Sequence, residues 1–218
     1  MKAFRDMLGI DEFRDYLDAL GYGARMATEE ETARLGGSGW GVDRQCIALD
    51  EAPFDLVWIR LGGAVGPRQN LKAGAFRMRV GPVPVMSNQV LPLQFHYCVW
   101  GDPGETRHEL RAKLRMRKKG FWNPEITDVR WTGGRLASLL DRDTELAETL
   151  RDELDADESL HVKPHPGSGS VRIVHGCTRT INYSLFSSDL LQFHQRLAPP
   201  ELVEAIGTVA ERVRSMTG

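Results

Sequence analysis

The sequence predicts an α+β fold: an antiparallel sheet of about five strands with helices packed on one face, followed by a helix–hairpin–helix portion. Three observations carry this. Apolar and charged residues alternate with period 2 through the middle of the chain, as in Leu110, Ala112, Leu114 and Met116 against Arg111, Lys113, Arg115 and Arg117. That is the pattern of an antiparallel sheet wet on one side. Helix-period segments gather at the two ends of the chain instead of alternating with the strands, which speaks against a doubly wound α/β arrangement. Turn signals rich in Gly and Pro separate the strand runs.

The elements follow in order. Leu8, Phe13, Leu17 and Leu20 share one face of a helix over residues 8–20, stopped by Gly21 and Gly23. Thr28 to Glu31 reads as a capping box opening a short helix that ends at Gly36 and Gly37. Residues 54–61 are apolar on both faces apart from Asp55 and Arg60, which suits a strand inside a sheet. Phe76, Met78 and Val80 alternate with Arg77 and Arg79; Leu91, Leu93, Phe95, Tyr97 and Val99 alternate with Gln94, His96, Cys98 and Trp100. The turn at residues 101–104 then predicts a hairpin that sets Trp100 opposite Arg107, Phe95 opposite Ala112 and Leu93 opposite Leu114, keeping both apolar rows on one side. Ile126 to Trp131 completes this group of strands.

Beyond it, Thr132 is read as the cap of a helix reaching Leu140, and Asp143 as the cap of a helix reaching about Leu154. Leu160 and Val162 face Val171 and Ile173 in a hairpin around the loop from Pro164 to Gly169, and residues 178–185 add a strand. Ser187 or Ser188 caps a helix to Leu197. Pro199 and Pro200 open the last helix, whose stripe of Leu202, Ile206, Val209, Val213 and Met216 reads as docked on the core. The chain reads as a single domain over residues 1–218, with lobes 1–120 and 121–218 as a finer division.

Charge is segregated. Residues 60–120 carry a net +9, residues 1–59 a net −6 and residues 121–218 a net −5, hidden within a total of −2. A sequence pI near 6.3 argues against wholesale coating of nucleic acid. The three cysteines, Cys46, Cys98 and Cys177, show no paired spacing, so no disulfide framework is expected. Arg5 and Asp6 interrupt the N-terminus before a signal-peptide core can form, and no apolar run has the length of a membrane span. The expected setting is the cytoplasm.

Two candidate sites emerge. The first is a basic sheet face: Arg111, Lys113, Arg115 and Arg117, with Gln94 facing Lys113 and His96 facing Arg111 across the hairpin, and Arg77 and Arg79 beside them if their strand joins the sheet. So many like charges need compensation by solvent, by the chain's own acidic ends, or by an external anion. The second is the group His161, His165, His175 and Cys177, imidazole and thiolate ligands within 17 residues that suit zinc by type but match no familiar zinc spacing. Cys177 beside His175 and Arg179 also has the surroundings of an activated thiolate. The glycine-rich stretches lack the signature of a nucleotide loop.

The leading functional expectation is a non-enzymatic binding or accessory protein whose basic face engages an anionic ligand or an acidic protein partner, with nucleic acid a less favoured partner and no membrane. One alternative is a small His/Cys-dependent enzyme containing zinc; another is an oligomerising structural protein, a homodimer through its last helix. The sequence names no cofactor.

Overall fold

The computed structural model describes residues 10–35, 46–61, 77–80, 83–120, 124–184, 191–192 and 197–217. In chain order the strands are β1 (Ala24–Met26), β2 (Cys46–Leu49), β3 (Leu56–Leu61), β4 (Arg77–Val80), β5 (Val83–Trp100), β6 (Ala112–Lys119), β7 (Glu125–Gly133), β8 (Ser159–His165), β9 (Ser170–Ser184) and β10 (Leu191–Gln192). The helices are α1 (Ile10–Ala19), α2 (Glu29–Arg34), α3 (Arg135–Leu140), α4 (Thr144–Glu153) and α5 (Pro200–Thr217).

All ten strands belong to one antiparallel sheet. Eight form its main path in the order β1-β2-β3-β5-β9-β8-β6-β7, while β4 pairs with β5 and β10 with β9. This corrects the expected sheet of about five strands with a separate helix–hairpin–helix portion. The predicted hairpin of β8 and β9 exists, with Val162 opposite Ile173 and Leu160 opposite His175, but it sits inside the sheet, between β5 and β6.

The predicted pairing of β5 with β6 is therefore absent. Phe95 lies opposite Ile59 and His175, and Ala112 lies opposite Gly133 and Val162. The physical reason is visible in β5. It is buried on both sides, with Leu93, Phe95, Tyr97 and Val99 in one core and Cys98 in another, so it needs a long neighbour on each flank. β9 supplies one, in unbroken register from Trp100 opposite Ser170 to Met86 opposite Ser184. The chain after Trp100 leaves the sheet through a 3-10 turn at Gly104–His108 instead of closing tightly, which opens the slot that β8 and β9 fill.

Other local expectations fare unevenly. Thr28 forms the capping box of α2: its Oγ1 accepts from the Glu31 N–H at 3.2 Å and Glu31 Oε2 accepts from the Thr28 N–H at 2.7 Å. Asp143 caps α4 by accepting from the Leu146 N–H at 3.1 Å. Thr132 does not cap α3; it lies in β7 and its hydroxyl donates to the Lys113 carbonyl. Leu191 and Gln192 are strand residues, not part of a helix from Ser187 or Ser188, because they pair with Tyr183 and Asn182. The residues of the proposed cap lie outside the described ones.

The inner face of the sheet holds the main core. Ile47, Val57, Phe95, Tyr97, Ile173, Val162, Leu114 and Trp131 meet Phe13 and Leu17 of α1, Leu136 and Leu140 of α3, Leu146 and Leu150 of α4, and the stripe Leu202, Ile206, Val209 and Val213 of α5. The stripe of α5 is thus buried against its own sheet. On the outer face a smaller cluster covers only the β2–β3–β5 end, where Leu35 after α2 packs on Cys46, Ala48, Leu56, Trp58 and Cys98. Among the described residues the β8–β6–β7 end of the outer face has no such cluster.

Candidate functional site: a cationic sheet face

Register places the side chains of the outer face. Across one row lie Trp58, His96, Val174, His161, Lys113 and Thr132. On β6 and at the residue before it, Ala112 and Leu114 are buried while Arg111, Lys113, Arg115 and Arg117 are exposed, as their alternation predicts. Lys163 joins them from β8 and Arg130 from β7; Arg130 stands directly opposite Arg115. One carboxylate stands in this group, Asp128 of β7, opposite Arg117, so the face is strongly but not purely cationic.

The two ends of the basic face that the sequence named do not join it. Gln94 and His96 lie on β5, separated from β6 by β9 and β8. His96 is buried, its ring stacked on Trp58 at 4.9 Å between centroids and 8° between planes. The Arg172 guanidinium lies 5.2 Å from the same Trp58 ring and donates to the Leu35 carbonyl. Arg77 and Arg79 lie on β4, which pairs with β5, so the structure puts them strands away from β6.

What neutralises the cations decides between architecture and binding. Elsewhere among the described residues five arginines are matched: Arg14 pairs with Asp11 and Asp15, Arg25 with Glu31 and Asp50, Arg151 with Asp152, Arg212 with Asp143, and Arg214 with Asp55. The Arg25 contact, with the cap, holds the Glu31 carboxyl down at about 2. On the face itself, Arg130 pairs with Asp128 at 3.3 Å and Lys118 donates to the Ala156 carbonyl. Arg111, Lys113, Arg115, Arg117 and Lys163 have no carboxylate partner among the described residues. The acidic helix α1 does not roof them, since Phe13 and Leu17 fix it to the inner face. At the far end of β6, Arg117, Lys118, Lys119, Thr127, Asp128 and Arg130 line an open depression of about 600 Å³.

His161 contributes no charge here near neutral pH. Burial, then the neighbouring Lys163 and Lys113, push its imidazole down to about 4.

The proposed zinc set is divided by the sheet. His161 lies on the outer face, whereas His175 and Cys177 point into the inner core. His165 ends β8, its Nδ1 3.0 Å from the Ser168 hydroxyl, which in turn lies 2.7 Å from that of Ser170. No group of three His, Cys, Asp or Glu side chains among the described residues converges on one point. Sequence reading missed one carboxylate here: Glu158, buried, with Oε2 3.3 Å from His175 Nε2. Its phase with Leu160 and Val162 was the signal for an inward position.

An orienting acid beside a histidine two residues from a cysteine is suggestive of nucleophile chemistry, but Glu158, His175 and Cys177 are all buried, His175 completely. Cys98 is likewise enclosed, and burial pushes its thiol up to about 12. None of the three cysteines forms a disulfide, and all three are buried. Iodoacetamide is accordingly expected to label none of them in the native protein and all three in denaturant, counted by mass; rapid single labelling without denaturant would contradict this placement.

Comparison with protein-family models, with curated proteins and with solved structures gave no match. No helix among the described residues is long and apolar enough to cross a membrane.

Proposed function

We propose that this protein is a non-enzymatic binding or accessory module, and that its β8–β6–β7 outer face engages an anionic ligand or an acidic partner. One observation supports this above the others: Arg111, Lys113, Arg115 and Arg117 stand together, exposed and without carboxylate partners among the described residues, while Arg14, Arg151, Arg212 and Arg214 of the helix layer are ion-paired. Anions approaching that side meet a focused positive potential; on the other side they meet the acidic residues of α1, α4 and α5. The proposed setting is the cytoplasm, in keeping with three cysteines that form no disulfide.

The test is a matched pair of charge reversals. Arg111→Glu with Arg115→Glu changes the net charge by the same amount as Arg135→Glu with Arg142→Glu, two exposed arginines of the helix layer. On a heparin column the first double variant is expected to elute at markedly lower salt than the parent, and the second close to it. Equal shifts for both would mean that net charge alone matters and would remove the proposal.

A further inference from the structure

The ligand class can be narrowed from what the face lacks, an argument that rests on the anion-binding reading above. Among the described residues the one exposed large hydrophobic side chain is Leu139, on α3 in the helix layer. Protein partners dock through a desolvated apolar or aromatic centre, and the described residues of the β8–β6–β7 face offer none. Among the described residues the face offers no exposed aromatic side chain either. Trp131 points into the core, Trp58 is buried, and Trp100 is half-buried with the Arg34 guanidinium 4.3 Å from its ring. Single-stranded nucleic acid is held largely by bases stacking on such rings. A duplex turns its bases inward and presents phosphates, about one charge per 1.7 Å of axis.

The face is built for that presentation. Arg111, Lys113, Arg115 and Arg117 recur along β6 at every second residue, spaced by roughly 6.8 Å. Lys163 lies beside one end and the depression rimmed by Lys118, Lys119 and Arg130 at the other. Guanidinium groups match phosphate oxygens two at a time. The acidic helix layer on the opposite side confines a polyanion to this one face, which reconciles local binding with an overall charge of −2. From these features we infer that the β8–β6–β7 face binds the phosphate backbone of a nucleic-acid duplex without reading its sequence.

The experiment is fluorescence anisotropy with short DNA and RNA duplexes of unrelated sequence, their single strands, a polyglutamate peptide and phosphatidylserine vesicles. Duplexes of different sequence are expected to bind with equal affinity, and more tightly than their single strands. Five unpaired cations predict a slope of log K against log salt of about −4.5, or roughly 500-fold weaker binding at 200 mM than at 50 mM salt. Arg111→Glu with Arg115→Glu should make the slope shallower by about 2. Tighter binding to single strands, capture by vesicles but not duplexes, or a slope unchanged by the reversal would overturn the inference. Binding of polyglutamate but not of duplexes would overturn it while leaving the anion-binding reading intact; binding of no polyanion at all would end both.

Discussion

Gly133→Ala is expected to destabilise the protein by roughly 3–5 kcal/mol, a drop of about 10 °C or more in melting temperature for a chain of this size. Two independent effects add. Gly133 has φ +144°, a conformation that side chains resist, and a Cβ there would lie 2.2 Å from the Arg111 carbonyl oxygen and 3.0 Å from its carbon. Both contacts are backbone, so no side chain can swing away. The neighbouring Gly134 is as tightly placed, with a Cβ falling 2.3 Å from the His108 carbonyl oxygen, and its N–H donates to the Arg111 carbonyl at 2.8 Å. The end of β7 is thus wedged against the chain that enters β6.

Gly104→Ala separates the two effects. Gly104 also has positive φ, +45°, but nothing lies within 4 Å of its missing Cβ, so conformational strain of about 1 kcal/mol is all it should cost. Thermal melts of both variants check this; equal melting temperatures would show that the close approach to Arg111 is not what demands glycine at 133. The point bears on function because this junction fixes where β6 begins, and Arg111 is its first exposed cation.

What the sequence revealed and what it hid divide by range. Thr28 and Asp143 act through partners three residues away, so their capping roles were legible in the residues themselves. The exposure of Lys113 and Arg115 was legible because side-chain alternation is a property of one strand. Which strand lies beside which is not. Alternation in β5 and β6 is satisfied equally well by pairing with each other or with β9 and β8, and only the burial of both faces of β5 favours the latter. Hence His96, assigned to the basic face, lies beneath Trp58, and Lys163 and Arg130 were overlooked although they share its side. β1 and β2 escaped notice for another reason: with three and four residues they are too short for alternation to stand out. Glu158 was hidden among neighbouring acids, Asp155 and Asp157, that remain exposed.

Glu158 is also where a second large effect is expected. Its carboxylate and the His175 imidazole lie within the core, beside Phe95, whose ring stacks on that of His175 at 5.9 Å. The carboxylate also accepts from the Asp155 N–H at 3.2 Å, which anchors the turn entering β8. Polar groups inside a core are costly when a partner is truncated, and removing one member of a facing buried pair costs about 1–3 kcal/mol. Glu158→Leu is therefore expected near that range. His175→Phe, which keeps the aromatic stack but removes the partner, should cost a similar amount for the same reason. The double variant Glu158→Leu with His175→Phe replaces the pair with apolar groups and should cost much less than the two single changes together. Urea melts of the three variants measure this coupling. Additive losses would mean that Glu158 and His175 stabilise the core separately. A coupling of 1 kcal/mol or more would identify them as a unit that fastens β8 to β9, and with it the hairpin that separates β5 from the cationic strand.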